Sequence, residues 1–320
     1  MDVVITGSSG LIGSALLPAL EAAGHRPIRL VRRIPARGAD EIQWDPANGE
    51  LDAESLEGID AVIHLAGAGI GDKRWTESYK QTLVESRTGG TSLLASALAG
   101  LTTPPKVFLS GSAIGYYGDQ GDTVLTEASP PADDFLADLC VQWEAAAQSA
   151  IDAGITTTFL RTGIVQSPKG GALAKTLPLF KFFLGGKFGS GRQYSSWIHI
   201  DDIVAALIFL LDAEVAGPVN LTAPNPVTNT AYTEALGKVL GRPTLLTVPA
   251  FGPKLLLGGE MADALLFDSM RVMPTALADA GFEFRFTDVE AALRPPPRLS
   301  QPSRPSQRKD PDDCQLDTHG

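Results

Sequence analysis

The chain has 320 residues, of which 44% are hydrophobic and 20% charged, a composition typical of a globular protein with a sizeable core. Its formal net charge of −11 argues against a nucleic-acid partner, because an acidic surface repels the phosphate backbone. Two distant cysteines, and no apolar run long enough to cross a bilayer, favour a soluble, cytoplasmic protein without a disulfide framework or a membrane partner.

The first half of the chain alternates β-rich runs with helical patterns, which is typical of a parallel sheet covered by helices. Strands are predicted at 3–5, 27–31, 61–65, 106–110 and 156–160, with a short strand ending at Trp44. Helices are predicted at 11–23, 75–99 and 135–153. This order predicts an α/β fold built on a Rossmann-type, doubly wound parallel sheet.

The pattern changes after about residue 165, where glycines and basic residues fill 169–192. Further helices are predicted around 178–184, after 197–200 with Asp201 or Asp202 as N-cap, at 228–240 and within 253–280. From Pro295 onward apolar residues are almost absent, which predicts a disordered tail. The sequence thus predicts a Rossmann domain, a smaller discontinuous C-terminal lobe packed on it and a tail, at 1–165, 166–294 and 295–320.

A glycine-rich turn lies between the first predicted strand and the first predicted helix. Gly7, Gly10 and Gly13 fit the pattern Gly-x-x-Gly-x-x-Gly, in which the first two allow a tight turn close to a pyrophosphate and the third allows close packing. The helix N-terminus would then face the anion. The alternative is a glycine-rich turn without a ligand. The predicted contacts of this loop are Gly7, Ser9, Gly10, Leu11, Ile12 and Gly13.

The end of the second strand indicates which dinucleotide binds. An NAD site usually has an Asp or Glu there to hold the ribose 2′-hydroxyl, whereas this chain has Arg32 and Arg33 after Val31. A guanidinium matches the oxygens of a 2′-phosphate, so the sequence predicts NADP as the cofactor, with Val31 and Arg32 as contacts. The alternative is that both arginines are only solvated at a strand exit.

Several short segments together resemble the extended short-chain dehydrogenase/reductases, and more narrowly the branch described as nucleotide-sugar epimerases or cell-division inhibitors. The resemblance covers about residues 1–294. The final segments resemble the small C-terminal domain of that branch. The segments are 6–13, Trp44-Asp-Pro, His64-Leu-Ala-Gly, Glu85-Ser-Arg, 112–118, Trp143-Glu, 161–165, Gly170-Gly, 197–202, 226–229, 271–274 and 281–284.

The resemblance implies further cofactor contacts. Leu65, Ala66 and Gly67 would line a strand end on the nicotinamide side, and Val165 would lie at a neighbouring strand end. Thr82 and Arg87, on the long second helix, would reach the cofactor from below. The alternatives are that Arg87 is a surface cation and that His64, just before Leu65, only bonds to the backbone.

The proton-transfer pair of that superfamily, a Tyr and a Lys four residues apart on one helix, is missing. The corresponding helix offers Phe135 and Leu139 in one register and Leu136 and Cys140 in the other. No Tyr in the whole chain is followed four residues later by Lys. Because general acid–base catalysis is worth about 10²–10⁴-fold in rate, ordinary epimerase turnover by this route is not expected.

Two hydroxyl groups remain as catalytic candidates. Ser112 occupies the place of the superfamily's helper hydroxyl, and Tyr116 would supply the missing acid from a loop. The alternative for Tyr116 is an aromatic packing role with a solvated hydroxyl. Cys140 has no His or Lys nearby in sequence to lower its pKa, so a core role is expected for it.

Two functional hypotheses follow. The first is an NADP-dependent oxidoreductase or epimerase-like enzyme with an unusual proton donor and an unidentified small substrate. The second is a catalytically silent NADP-binding sensor or regulatory scaffold. The enzyme would be favoured if four polar side chains converge on the nicotinamide: Ser112, Tyr116, Arg161 and Arg192. The sensor would be favoured if the pocket is closed by Phe135, Leu136 and Leu139. The four histidines lack metal-ligand spacing, so no metal is predicted, and the oligomeric state stays open.

Overall fold

An eight-stranded sheet forms the centre of the computed structural model, which describes residues 1–294. The strands of these residues are β1 (Asp2–Thr6), β2 (Arg26–Val31), β3 (Glu41–Asp45), β4 (Glu50–Leu51), β5 (Ala61–His64), β6 (Val107–Ala113), β7 (Val124–Leu125), β8 (Thr156–Thr162), β9 (Ile164–Gln166), β10 (Gly186–Phe188), β11 (Tyr194–Ser195), β12 (Trp197–His199), β13 (Gly217–Leu221), β14 (Val227–Thr228), β15 (Leu246–Val248) and β16 (Arg271–Val272). The α-helices are α1 (Leu11–Ala22), α2 (Glu77–Ala99), α3 (Phe135–Ala145), α4 (Gln148–Asp152), α5 (Gly171–Lys181), α6 (Ile200–Asp212), α7 (Asn229–Leu240), α8 (Phe251–Leu257), α9 (Gly259–Ala262), α10 (Thr275–Asp279) and α11 (Val289–Leu293). Single turns of other helical type lie at Ala53–Leu56, Ile114–Tyr117 and Asp263–Phe267.

The strand order of the large sheet is β13-β8-β6-β5-β1-β2-β3-β4, parallel except for the β3–β4 pair. Strand β1 lies between β2 and β5. The chain first adds β2, β3 and β4 on one side of β1 and then adds β5, β6, β8 and β13 on the other side. Ligands of open α/β sheets bind in the crevice at the carboxyl ends of the strands at such a reversal. The topology therefore places a binding crevice beside the residues that follow β1 and β5.

Helices cover both faces of the sheet, which explains why its strands are almost continuously apolar. Val3 and Ile5 of β1 pack on one face with residues of α1 and α6, and Val4 packs on the other with residues of α2 and α4. All three valine and isoleucine side chains are fully buried. The predicted doubly wound α/β class, with a smaller C-terminal region, is confirmed.

The C-terminal region consists of short elements around a separate apolar cluster. Helices α5, α7 and α11 contribute most of the side chains of this cluster, and parallel strands β10 and β15 and antiparallel strands β11 and β14 belong to the same region. Its fully or nearly buried members are Leu173, Phe180, Trp197, Ala223, Leu236, Val289, Ala292 and Leu293.

The structure differs from the sequence-based predictions in four places. The helix predicted at 135–153 is interrupted between α3 and α4, and the helix predicted at 178–184 is α5, which starts at Gly171. Helix α6 is not capped by Asp201 or Asp202, because His199 Nδ1 accepts the amide hydrogen bond of Asp201. The predicted lobe at 166–294 also contributes α6 and edge strand β13 to the large sheet and its core. The predicted tail at 295–320 lies outside the described residues.

Candidate cofactor site

The glycine turn after β1 is pressed against the end of β5. Gly7 has a φ of 65°, and a Cβ there would lie 2.7 Å from the backbone carbon and oxygen of Leu65. A Cβ at Gly13 would lie 2.4 Å from the carbonyl oxygen of Gly7. Both contacts are with backbone atoms, which cannot turn away as a side chain does, so only glycine fits at either position.

A cavity of about 330 Å³ opens directly above this turn. It lies at the carboxyl ends of β1 and β5, where the sheet order predicts a ligand, and beside the first residues of β9. Its lining residues are Gly7, Gly10, Leu11, Ile12, Gly13, Leu65, Ile164, Val165, Gly171 and Ala172.

Two helices present their N-termini to the cavity without a capping side chain. Among the helices of eight or more residues within 1–294, α2, α3, α6 and α7 have a side chain that accepts from a first-turn amide. Helices α1 and α5 begin after Gly10 and Gly170, which have no side chain to do so. The first turns of both line the cavity. Uncapped amides and two positive helix-dipole ends make this a fitting site for a diphosphate.

The two adjacent arginines after β2 have different surroundings. Arg33 forms a bidentate ion pair with Glu41, at 2.8 and 2.6 Å. These bonds hold the pKa of Glu41 at about 2, well below its usual range. Arg32 is exposed and makes no side-chain hydrogen bond or ion pair within residues 1–294. Of these two arginines, Arg32 is therefore the one without a protein partner within residues 1–294.

Thr6 fixes the position of the β5 end. Its Oγ1 accepts the amides of Leu65 and Ala66, at 3.0 and 3.1 Å, and lies 2.7 Å from His64 Nδ1. With both lone pairs of the hydroxyl occupied, its proton is donated to Nδ1. His64 is fully buried, which lowers the pKa of its imidazole to about 4. His64 is therefore a neutral residue whose partner is the Thr6 hydroxyl rather than the backbone, which differs from the alternative interpretation of the sequence.

Arg87 is a buried cation rather than a surface one. Its side chain is only 8% exposed and lies within 3.4–3.6 Å of a Cβ placed on Gly67, just past the cavity. The guanidinium stacks over the Trp143 ring at 5.0 Å, and Nη1 donates to the carbonyl of Leu83. Nε has no partner in the described chain, and burial lowers the pKa of the group. A buried cation without a carboxylate is expected to bind ligand oxygens.

Thr82 lies elsewhere on α2. It is exposed and donates to the carbonyl of Ser78, outside the cavity. Two other hydroxyls of α2, which were not predicted, contact the loop after β5: Ser86 accepts the amide of Ala68 at 3.1 Å, and Tyr79 donates to the carbonyl of Gly69 at 2.6 Å.

Ser112 belongs to a buried polar network. Its hydroxyl donates to Glu144 at 2.7 Å, and the same carboxylate receives two bonds from Arg161 at 2.8 and 2.9 Å. Arg161 also donates to the hydroxyl of Tyr117 at 3.0 Å, and its guanidinium lies 3.5 Å from the centre of the Tyr116 ring. The network gives Ser112 and Arg161 a structural partner that the sequence did not reveal.

Apolar side chains fill the place of the missing proton-transfer pair. Phe135, Leu136 and Leu139 of α3 pack in one cluster with Trp75 and Tyr79 of the facing segment. Burial raises the pKa of the neighbouring Cys140 thiol to about 12, so it is protonated and unreactive at neutral pH. Within residues 1–294, neither register of this helix offers a group that exchanges protons near pH 7.

The structure thus brings most of the predicted cofactor contacts to one edge of the sheet. Gly7, Gly10, Leu11, Ile12, Gly13, Leu65 and Val165 line the cavity, and Ala66, Gly67 and Arg87 continue beside it, whereas Ser9 is exposed at the turn. Residues Ile164, Gly171 and Ala172 were missed, although the pair Gly170-Gly171 was a signal for them. Arg192 is exposed, and it does not join the network around Arg161.

No helix within residues 1–294 is long and apolar enough to cross a membrane. No three His, Cys, Asp or Glu side chains come together there in a way that would hold a metal ion.

Comparison with known proteins finds relatives over nearly the whole chain. An epimerase family protein of Mycobacterium leprae is 44% identical over 91% of this chain and 94% of its own. The crystal structure of human epimerase family protein SDR39U1 (isoform 2), solved with NADPH, is 33% identical, with a TM-score of 0.84 over 92% of this chain and 98% of that one. A nucleoside-diphosphate sugar epimerase structure from Corynebacterium glutamicum is 39% identical, with a TM-score of 0.75, and this chain covers 57% of it.

Two family models match in succession. Residues 248–295 match a domain of unknown function, DUF1731, which agrees with the resemblance of the C-terminal segments. Residues 3–222 match the other model, which extends through β13 and so includes every strand of the large sheet. With its sheet, its glycine turn and more than half of its length matched, the chain belongs to the NAD dependent epimerase/dehydratase family.

Proposed function

We propose that this chain binds NADPH and acts as an oxidoreductase on a small molecule, without the Tyr–Lys pair. The observation that carries the proposal is the combination of the unpaired Arg32, directly after β2, with two uncapped helix N-termini above the glycine turn. Arg32 would hold the 2′-phosphate, and the amides in the first turns of α1 and α5 would hold the diphosphate. A 33% identical human relative was solved with NADPH, which supports the choice.

The residues past the cavity would orient the nicotinamide half of the cofactor. Leu65, Ala66 and Val165 offer backbone and apolar contacts at the strand ends, and Arg87 offers buried donors for sugar or phosphate oxygens. When bound, NADPH supplies a hydride. The role of the protein there is to exclude water and fix the ring, since the positions of the usual Tyr–Lys pair on α3 carry no acid–base group.

The cofactor preference is tested by comparing affinities for NADPH and NADH. We expect NADPH to bind about 10–100-fold more tightly, because a charge-assisted bidentate contact is worth about 1.5–3 kcal/mol. Arg32→Ala should remove this preference, whereas Arg33→Ala should leave it, since Arg33 is engaged with Glu41. Fluorescence titration of all three proteins measures it. Equal curves for both cofactors with the unaltered chain would contradict the assignment.

If the chain turns over, Tyr116 and Ser112 are the proposed proton-handling residues. Tyr116→Phe removes one hydroxyl and almost no volume, so a loss of about 10²-fold in kcat is expected. Cys140→Ser should leave kcat nearly unchanged, because the thiol is buried and protonated. Full activity in both Tyr116→Phe and Ser112→Ala would exclude the two hydroxyls from the mechanism.

The second candidate function is an NADPH-binding sensor without turnover. The apolar packing of Phe135, Leu136 and Leu139, and the bond that commits Ser112 to Glu144, favour it. The two functions are separated by following the absorbance of bound NADPH with a panel of small carbonyl compounds. Oxidation of NADPH by any of them supports the enzyme, and tight binding without oxidation across the panel supports the sensor.

A further inference from the structure

Large apolar side chains are exposed at the surface of the C-terminal region. Between α5 and β10, Phe182, Phe183 and Leu184 are 75%, 54% and 57% exposed. Phe183 also has a φ of 62°, a left-handed conformation that is costly for an aromatic residue. Three consecutive exposed apolar residues on a strained turn are not expected in a surface that faces only water.

The neighbouring elements extend this surface. The parallel register of β10 and β15 pairs Gly186 with Leu246, so Leu245, which is 93% exposed, lies beside the 182–184 turn. Helix α8 follows β15 after two residues, contains no buried residue, and exposes Phe251, Leu255 and Leu256. We call these exposed side chains together the apolar patch: Phe182, Phe183, Leu184, Leu245, Leu246, Phe251, Leu255 and Leu256.

The segments that carry the apolar patch contain only cationic charged residues, although Glu234 and Glu260 flank one of them. Residues 167–200 and 235–259 contain eight Lys and Arg and no Asp or Glu, in a chain whose net charge is −11. Lys181 immediately precedes the turn, and the guanidinium of Arg242 lies 4.5 Å from the centre of the Phe183 ring. Lys238 and Lys254 pair with acidic residues from outside these segments, Glu290 and Asp263. The patch is therefore an apolar surface with a cationic border on an acidic protein.

The apolar side chains and the cationic border together indicate what kind of partner would cover the apolar patch. A second copy of the chain, docked through the same patch, would bring the two cationic borders together. The chain's own segment 295–320 has only Leu299 and Leu316 as large apolar residues, too few to cover eight. Aromatic and leucine side chains framed by Lys and Arg match the boundary between the phosphates and acyl chains of an anionic bilayer.

We propose that the apolar patch docks this protein on a bilayer surface that contains anionic phospholipids. The turn at 182–184, Leu245 and the exposed face of α8 insert at the level of the acyl-chain boundary, and Lys181, Lys187 and Arg242 face the lipid phosphates. This departs from the expectation that the chain has no membrane partner, which considered only spanning segments and total charge. The patch lies outside the cofactor cavity, so the proposal is independent of the proposed function.

The test is sedimentation of the full chain with vesicles of phosphatidylcholine, with or without phosphatidylglycerol. Binding is expected with the anionic lipid and is expected to weaken at high salt. Phe182→Ser with Phe183→Ser should weaken it roughly tenfold or more. Lys181→Gln and Arg242→Gln should each weaken it roughly fivefold. Ile151→Ser, which alters an exposed apolar residue of α4, should leave binding unchanged.

Melting temperature and NADPH affinity, measured on every variant, show that a loss of vesicle binding is not a loss of folding. Absence of binding to anionic vesicles by the unaltered chain would overturn the proposal. So would equal binding to both kinds of vesicle, or equal weakening by Ile151→Ser. Concentration-dependent self-association that disappears in the Phe182→Ser/Phe183→Ser variant, without vesicle binding, would assign the patch to a second copy instead.

Discussion

At the scale of single residues, the surroundings decide which of two identical side chains is available to a ligand. Arg32 and Arg33 are adjacent, and the sequence offers both to a 2′-phosphate. The structure commits Arg33 to Glu41 and leaves Arg32 exposed. The same distinction applies to hydroxyls, since Ser112 is held by Glu144. In each case a carboxylate decides whether the side chain is free: Glu41, eight residues from Arg33, and Glu144, which is distant in sequence from Ser112.

His64 gives a pH-dependent contribution to stability that one substitution removes. Its folded pKa of about 4 lies below the unfolded value of about 6.5, so between these pH values only the unfolded chain binds the proton. The free energy of unfolding therefore falls as the pH is lowered from 7 to 4, by about 3 kcal/mol from this group. Urea unfolding of His64→Asn across this range should show a change smaller by about that amount. An unchanged pH profile in His64→Asn would mean that the pKa of His64 is the same in the folded and the unfolded chain.

At the scale of secondary structure, the helix N-termini account for the cavity better than any single side chain. Helices α1 and α5 come from distant parts of the chain, and both replace a capping side chain with glycine. Their first turns meet at the same cavity. The sequence analysis found the first of these turns by its glycine spacing, and it missed the second because α5 was predicted to start seven residues later.

The glycine turn is tested by two matched helix substitutions. Gly13→Ala places a methyl group 2.4 Å from the Gly7 carbonyl oxygen, so we expect a destabilisation of about 1–3 kcal/mol and at least roughly tenfold weaker NADPH binding. Gly89→Ala in α2 meets nothing within 4 Å and should stabilise the protein by about 0.5–1 kcal/mol without changing affinity. Thermal unfolding and NADPH titration measure both. Normal cofactor affinity in Gly13→Ala would show that the close helix–turn contact is not needed.

At the scale of the whole molecule, the large sheet and the C-terminal region are not separated along the chain at residue 165. Strand β13 and helix α6 complete the sheet from beyond that point, and the segments between and after them build the smaller region. The cavity has lining residues on both sides of the predicted boundary. A cut at residue 165 would therefore remove part of both the core and the cofactor site.

The segment 295–320 is expected to be removable. It holds few apolar residues and so contributes little burial to folding, whereas α11, which ends at Leu293, packs in the core of the C-terminal region. A chain ending at Arg294 should keep the melting temperature and NADPH affinity of the full chain. Differential scanning fluorimetry and titration of the two chains check this, and a fall of more than a few degrees would show that the segment contributes to stability.

The sequence by itself determined the α/β class, the order of most elements in the first half and the glycine turn, and it predicts NADP as the cofactor. These features depend on local periodicity, on turn residues and on charges at a strand end, all of which are encoded within a few neighbouring residues. The predicted strand at 27–31 and helix at 11–23 agree with β2 and α1 to within one residue for this reason.

Only the tertiary structure decided what depends on residues far apart in the chain. The cap of α6 by His199, the burial of Arg87 without an acid and the network joining Ser112, Glu144 and Arg161 all depend on which segments become neighbours. The apolar patch likewise cannot be predicted from the sequence, because the sequence pattern around a Phe or Leu is the same whether or not another element covers that side chain. Long-range packing sets the burial and the partner of a side chain, and these two quantities decide its chemistry.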